Sequence, residues 1–468
     1  MNWSSVEPCA SVMQNMSSEI SPPFDLIISG ATIVAPHNRE KGRWTVEVAD
    51  VGISNKKIAA IGALNQSEAK SKIQARGLTL LPGAIDTQVH FRDPGFPEKE
   101  DLVSGSRAAL MGGVTTFFDM PNTKPPTLTA LDVADKVSRA QNKCWVNYAF
   151  YIGASPSNID KLAELENHRN VCGVKIFMGS STGNLIIGSD ENLERVVSKL
   201  TRPFAVHAED NPRLSERRRI VEQAPGQVEM HPDWRDVETA LIATKKIVAL
   251  AEKYSKYAHI LHISTAEEID FFRAHRNGHV TFEVTPQHLT LVAPECYAKL
   301  GTLAQMNPPI RDKRHYEAIW TAVRDGLATT IGSDHAPHTL AEKKQIYPKS
   351  PSGMPGVQTL LPVMLDHVHN NRLSLARLVE LTSYNPAQLF RLNSKGSIQI
   401  GKDADFALVD LNAEKTITNS WIESRCKWTP FDGYKVHGWV VATIVGGHIS
   451  MRDGEIIGSP MGSPALRT

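Results

Sequence analysis

The sequence shows no excess of either charge, no long apolar run and no paired cysteines, and each absence closes off a class of function. Its 51 Lys and Arg nearly cancel 50 Asp and Glu, so no global field recommends nucleic acid or an anionic membrane as a partner. No uninterrupted apolar run approaches the roughly 18 residues a membrane helix needs. The five cysteines (Cys9, Cys144, Cys172, Cys296 and Cys426) lie far apart and never form a C-x-x-C pair. That argues against a disulfide framework or a thiolate zinc site and fits a reducing compartment, with the cytoplasm as the default. Residues 1–22 are Ser-rich and contain no Lys, no Arg and no apolar h-region, so they read as a disordered extension rather than a signal or transit peptide.

What remains is ordinary for a globular enzyme: 468 residues, 41% hydrophobic and 22% charged, enough for one large domain and a smaller accessory unit. Residues 23–83 are strand-like, as in Phe24-Asp25-Leu26-Ile27-Ile28, with turn punctuation at Ser54-Asn55-Lys56-Lys57. A second β-rich stretch, 395–457, ends with Val440-Val441-Ala442-Thr443-Ile444-Val445-Gly446-Gly447. Neither is long enough to stand alone, and the pair reads as two halves of one β-sandwich, followed by a disordered Gly-Ser-Pro tail at 458–468.

Between them, 84–394 alternates short apolar runs with helical patterns. Strands are expected at 84–91, 114–120, 146–153, 171–178, 203–208, 259–263, 280–285 and 328–333. Val237, Ala240, Leu241, Ile247, Val248 and Ala251 recur at helical spacing. Eight buried strands separated by helices predict an α/β fold, a parallel (β/α)8 barrel. An open doubly wound sheet is the alternative, weakened because no G-x-G-x-x-G follows the first strand.

Metal-capable side chains gather at the ends of these strands. His90 and Arg92 close the first; Asp119 and Asn122 surround the end of the second; Lys175 lies in the fourth; His207 and His262 end the fifth and sixth; Asp334, His335 and His338 follow the eighth. In a barrel these ends share one mouth, so residues far apart in sequence converge there. A lone His such as His262 in Ile260-Leu261-His262-Ile263 is by itself more often a hydrogen-bonded core residue. Four strand ends carrying His or Asp, with Lys175 on a fifth strand, make a shared cation pocket the stronger reading. Lys175 within Val174-Lys175-Ile176-Phe177 has two readings, a salt-bridged or snorkelling amine and an amine made anionic by carbon dioxide. Arg92, on the same strand face as His90, suits a substrate carboxylate, against a surface ion pair with Asp93 or Glu98. The polar segment 340–349 is either a solvated loop or a lid that expels water.

With those residues in view, the chain resembles the cyclic amidohydrolases, above all the dihydroorotases. The motifs that carry the likeness include Asp86-Thr87-Gln88-Val89-His90-Phe91-Arg92-Asp93-Pro94-Gly95, Met120-Pro121-Asn122-Thr123, Lys175-Ile176-Phe177-Met178-Gly179, Val206-His207-Ala208-Glu209, His262-Ile263-Ser264-Thr265-Ala266, Asn307-Pro308-Pro309-Ile310-Arg311 and Ser333-Asp334-His335-Ala336-Pro337-His338. The resemblance implies a zinc centre bridged by carboxylated Lys175 and hydroxide, with His90, Lys175, His207, His262 and Asp334 as ligands. It implies that Asp334 is also the catalytic proton carrier, and that Arg92, Asn122, Asn307, His338, Ser352 and Gly353 contact substrate. Gln88 departs from the family's His-x-His, so one or two ions are both open, and an amide is the weaker zinc ligand. The activity implied is reversible opening of dihydroorotate to N-carbamoyl-L-aspartate. An allantoinase, a hydantoinase and a non-catalytic dihydroorotase-like partner protein are the alternatives. A small-molecule substrate is the expected partner, and assembly of identical copies is left open.

Overall fold

The computed structural model describes residues 24–36, 44–180, 185–275 and 278–466; the expected extension at 1–22 lies outside them. Five strands come first: β1 (Phe24–Pro36), β2 (Trp44–Ser54), β3 (Lys57–Gly62), β4 (Ala69–Gln74) and β5 (Thr79–Pro82). The turn joining β2 to β3 consists of Asn55 and Lys56, both at positive φ (53° and 65°), the twist that a two-residue hairpin between right-twisted strands requires.

Eight strands then form the barrel: β6 (Ala84–Val89), β7 (Val114–Asp119), β8 (Asn147–Gly153), β9 (Val171–Phe177), β10 (Phe204–His207), β11 (Ala258–Ile260), β12 (Val280–Val284) and β13 (Thr330–Ile331). Each pairs in parallel with the next. Nearly every strand residue is buried, as expected where helices cover the outside and side chains fill the inside. Between β13 and β6 the ladder gives way to single contacts: Val89 bridges His335, and the His90 amide donates to the His335 carbonyl at 2.8 Å.

β6, β11 and β13 stop two or three residues short of the sequence pattern at their C-terminal ends, and the backbone just beyond each is the local cause. His262 (φ 42°) and Asp334 (φ 43°) take left-handed conformations that leave the ladder, as does Arg92 (φ 60°) past β6. Such backbone costs energy for residues with a Cβ and concentrates at functional sites. The expected helix appears as Val237–Lys253, started by Asp236, whose side chain accepts from the Thr239 amide at 3.0 Å. Among the described residues, no helix is long and apolar enough to cross a membrane.

The chain returns to the accessory unit with β14 (Phe406–Thr416), β15 (Lys435–Val445), β16 (His448–Arg452) and β17 (Glu455–Ile456). The N- and C-terminal segments do build one unit, joined edge to edge. β5 pairs antiparallel with β14, making one mixed nine-stranded sheet around a core that includes Ile28, Ile53, Leu80, Phe406 and Ile444. Buried Asp405 ties this unit to the barrel: its carboxylate takes the Lys395 ammonium at 2.5 Å and the Asn147 amide at 3.1 Å.

The tail expected to be disordered is docked over its described part, 458–466. The Gly462 amide donates to Cys144 O at 3.0 Å, the Tyr148 amide to Ser463 O at 3.1 Å and the Ala465 amide to Tyr148 O at 2.8 Å. Backbone pairing holds it beside β8, a contact that its Gly-Ser-Pro composition gives no hint of.

Candidate active site

Gln88, His90, Lys175, Phe177, His207, His262, Asn307, Asp334, Ala336, Ser352 and Gly353 line one cavity at the C-terminal mouth of the barrel. Eight of these were expected from sequence as cation ligands or substrate contacts: His90, Lys175, His207, His262, Asp334, Asn307, Ser352 and Gly353. The other three substrate-contact candidates stand one layer behind. Asn122 Oδ1 meets His90 Nδ1 at 2.7 Å, His338 Nε2 meets Ser352 O at 3.1 Å, and Arg92 Nη2 meets His338 Nε2 at 3.4 Å.

The imidazoles are held neutral. Burial, then the Arg92 charge, pushes His90 well below the usual histidine range; burial also lowers His207, and burial above all lowers His262 well below that range. A neutral His90 that gives its Nδ1 proton to Asn122 turns a bare Nε2 lone pair toward Asp334 Oδ1, 3.2 Å away. Two acceptors face each other there, an arrangement stable only with a proton or a cation between them. The same logic holds across the mouth. His207 Nε2 lies 2.9 Å from Glu209 Oε2, and its Nδ1 faces His262 Nε2 at 3.0 Å. Glu209 is fully buried and paired with Arg235, which holds its carboxyl down at about 2 against the opposing effect of burial. A carboxylate behind an imidazole is the usual support for a metal-binding histidine.

Donor type therefore fits a divalent cation, and donor number falls short. Among the described residues no three His, Cys, Asp or Glu side chains converge as a finished metal site. The His207–His262 and His90–Asp334 pairs each lack a third ligand, and the groups next to them are Lys175 and Gln88. Lys175 is 1% exposed, its Nζ lies 4.6 Å from the Phe177 ring centre, and it forms no ion pair among the described residues. It neither snorkels nor makes a salt bridge. Burial pulls its ammonium strongly toward the neutral amine and pushes Asp334 toward the neutral acid. Gln88 turns its amide N–H onto Asp334 Oδ1 at 2.9 Å and leaves its Oε1 buried without a hydrogen-bond partner.

Arg92 is not at the surface. It is 2% exposed, donates from Nε to Pro337 O at 3.3 Å, and has no ion pair with a carboxylate among the described residues. Asp93 is taken by Arg139, 3.2 Å away. Burial lowers the guanidinium to about 10 against the favourable fields of Asp334 and Asp119.

Most of segment 340–349 is exposed, as a solvated loop would be, but two of its residues turn inward. Thr339 caps the short helix Leu340–Lys343 through a reciprocal box with Glu342, and Lys343 and Tyr347 are buried. Sequence reasoning also missed Glu209 with its partner Arg235, and Glu283 of β12. Glu283 accepts from Thr87 Oγ1 at 2.7 Å deep in the barrel, and burial pushes its carboxyl up to about 8. Glu209 had a signal in its spacing, two residues beyond His207; Arg235 and Glu283 had none.

Residues 79–450 match the amidohydrolase family. The chain belongs to that family. As an amidohydrolase it is an enzyme that cleaves amide bonds. It is 36% identical to the dihydroorotase of Pyrococcus abyssi over 89% of this chain and 94% of that protein. It is 33% identical to the allantoinase of Rubrobacter xylanophilus over 94% and 97%. In fold this amidohydrolase is similar to the L-hydantoinase of Arthrobacter aurescens, with a TM-score of 0.89, 28% identity and coverage of 94% and 99%.

Proposed function

We propose that this amidohydrolase is a dihydroorotase, interconverting dihydroorotate and N-carbamoyl-L-aspartate in pyrimidine synthesis. The observation that carries the reading is Arg92, a buried guanidinium at the barrel mouth with no carboxylate partner of its own. A buried charge without a counter-ion is costly, and a ring carboxylate bound at the mouth would supply that counter-ion. Allantoin and simple hydantoins bring no carboxylate, so likeness to an allantoinase and a hydantoinase does not outweigh this residue.

His90, Lys175, His207, His262 and Asp334 would hold the cation, zinc in this reading. Lys175 would bind as a carbamate formed from its neutral amine and carbon dioxide with loss of one proton. A cation held by these residues would supply polarisation of the ring carbonyl and a lowered pKa for water. Asp334 would take a proton from the attacking water at Oδ1, the oxygen that the Gln88 amide N–H orients, and pass that proton to the departing ring nitrogen. Arg92, backed by Pro337 O and His338, orients the ring by its carboxylate. Asn307, Ser352 and Gly353 close the far wall.

The test is turnover of dihydroorotate, hydantoin and allantoin by one purified sample whose metal content is measured alongside. Dihydroorotate is expected to be opened at least about a hundredfold more efficiently than either other ring, a 2.7 kcal/mol preference. Preference for a ring without a carboxylate, or no turnover by the metal-loaded protein, would overturn the reading.

A further inference from the structure

We infer that Lys343 is a positioning residue that fixes the Ser352–Gly353 wall of the substrate cavity; the inference rests on the assignment of that cavity as the substrate site. Lys343 is 0% exposed, although it lies in one of the most polar stretches of the chain. Its Nζ donates to Gln305 O at 3.1 Å, Pro351 O at 2.8 Å and Gly353 O at 3.0 Å. Three carbonyl dipoles take its three N–H bonds, and no carboxylate pairs with it among the described residues. The Trp428 ring covers it from the other side, its centre 5.8 Å from Nζ.

Those carbonyls belong to two different segments of the cavity rim. Gln305 lies two residues before Asn307, and Pro351 and Gly353 flank Ser352. The Gly353 amide donates to the same Gln305 carbonyl at 2.9 Å, and Gln305 Nε2 donates to Ser350 O and Ser352 Oγ, each at 3.0 Å. Gly353 has φ +134°, and a Cβ there would stand 2.5 Å from Ala336 O, so this wall can approach Asp334's segment only as glycine in this conformation. No regular ladder holds residues 350–353; the Lys343 ammonium takes the place of one. Without it, two carbonyls of the wall and one of the Asn307 loop lose their shared donor, and the wall relaxes away from bound ring. Asp334, His90 and the cation donors are untouched. Affinity for substrate should therefore fall while the chemical step persists.

The test compares Lys343→Met, which keeps the stem and removes the donors, with wild type. Two readouts are used: steady-state kinetics on whichever ring wild type opens, and hydrogen exchange at the Gly353 amide without substrate. KM should rise about tenfold with kcat within about threefold, and Gly353 exchange should quicken about tenfold. Lys343→Arg keeps the charge but cannot place one nitrogen on three carbonyls, so its values should fall between the two. If K343M does not accumulate folded, K343R carries the comparison alone: raised KM with faster exchange supports the inference. Wild-type KM, or wild-type exchange at Gly353, overturns it. A wild-type protein that opens only a carboxylate-free ring would sink the dihydroorotase reading and leave this comparison intact on that ring.

Discussion

His207 Nδ1 and His262 Nε2 face each other 3.0 Å apart at adjacent strand ends, both rings neutral and both buried. One nitrogen of each ring is thus turned to the same small space, from strands that the barrel sets side by side. Behind His207 stands Glu209, and behind Glu209 stands Arg235, so the imidazole is oriented from outside the cavity.

Glu209→Gln removes the charge that orients His207. Affinity for zinc should fall by about 10–100-fold, read by competition with a chromogenic chelator. Unchanged affinity would mean that His207 needs no such support.

Gln88→His replaces an amide that presents its N–H to Asp334 with an imidazole that can bind a cation. Zinc retained after equilibrium dialysis should rise by about one ion per chain over wild type, measured by elemental analysis. The same content in both proteins would place the second ion's limitation elsewhere.

Acid should destabilise the fold in part through His231. It is fully buried between Tyr347 OH and Met306 O, each at 3.0 Å, and burial, then Arg235, lowers its pKa to about 3. The unfolded chain takes up this proton near pH 6.5 and the folded chain does not. The neutral ring's contribution is complete above pH 6.5 and is lost as pH falls toward 3, by about 1.4 kcal/mol per pH unit. Urea midpoints between pH 4.5 and 6.5 should show a shallower slope for His231→Gln than for wild type; equal slopes would remove His231 from the account.

The barrel and most of the cavity were legible because both depend on periodicity and strand ends. His90, His207, His262 and Asp334 each close an apolar run, and parallel closure does the rest. Lys343 was not legible: Glu342, Lys344 and Lys349 around it read as a solvated loop, and nothing in spacing marks the one lysine whose partners are carbonyls of other segments. The docked tail escaped for a related reason, since its contacts are backbone pairs with β8 and composition does not record them. Arg92 was legible as a cation near the mouth, but its lack of a carboxylate partner emerges only once Asp93 is seen bound to Arg139.

The most direct measurement is the kinetics of Arg92→Met on dihydroorotate and on hydantoin. Loss of the guanidinium should raise KM for dihydroorotate by about a hundredfold or more, while any slow hydantoin opening changes little. An unaltered KM for dihydroorotate would contradict the claim that Arg92 waits for a substrate carboxylate.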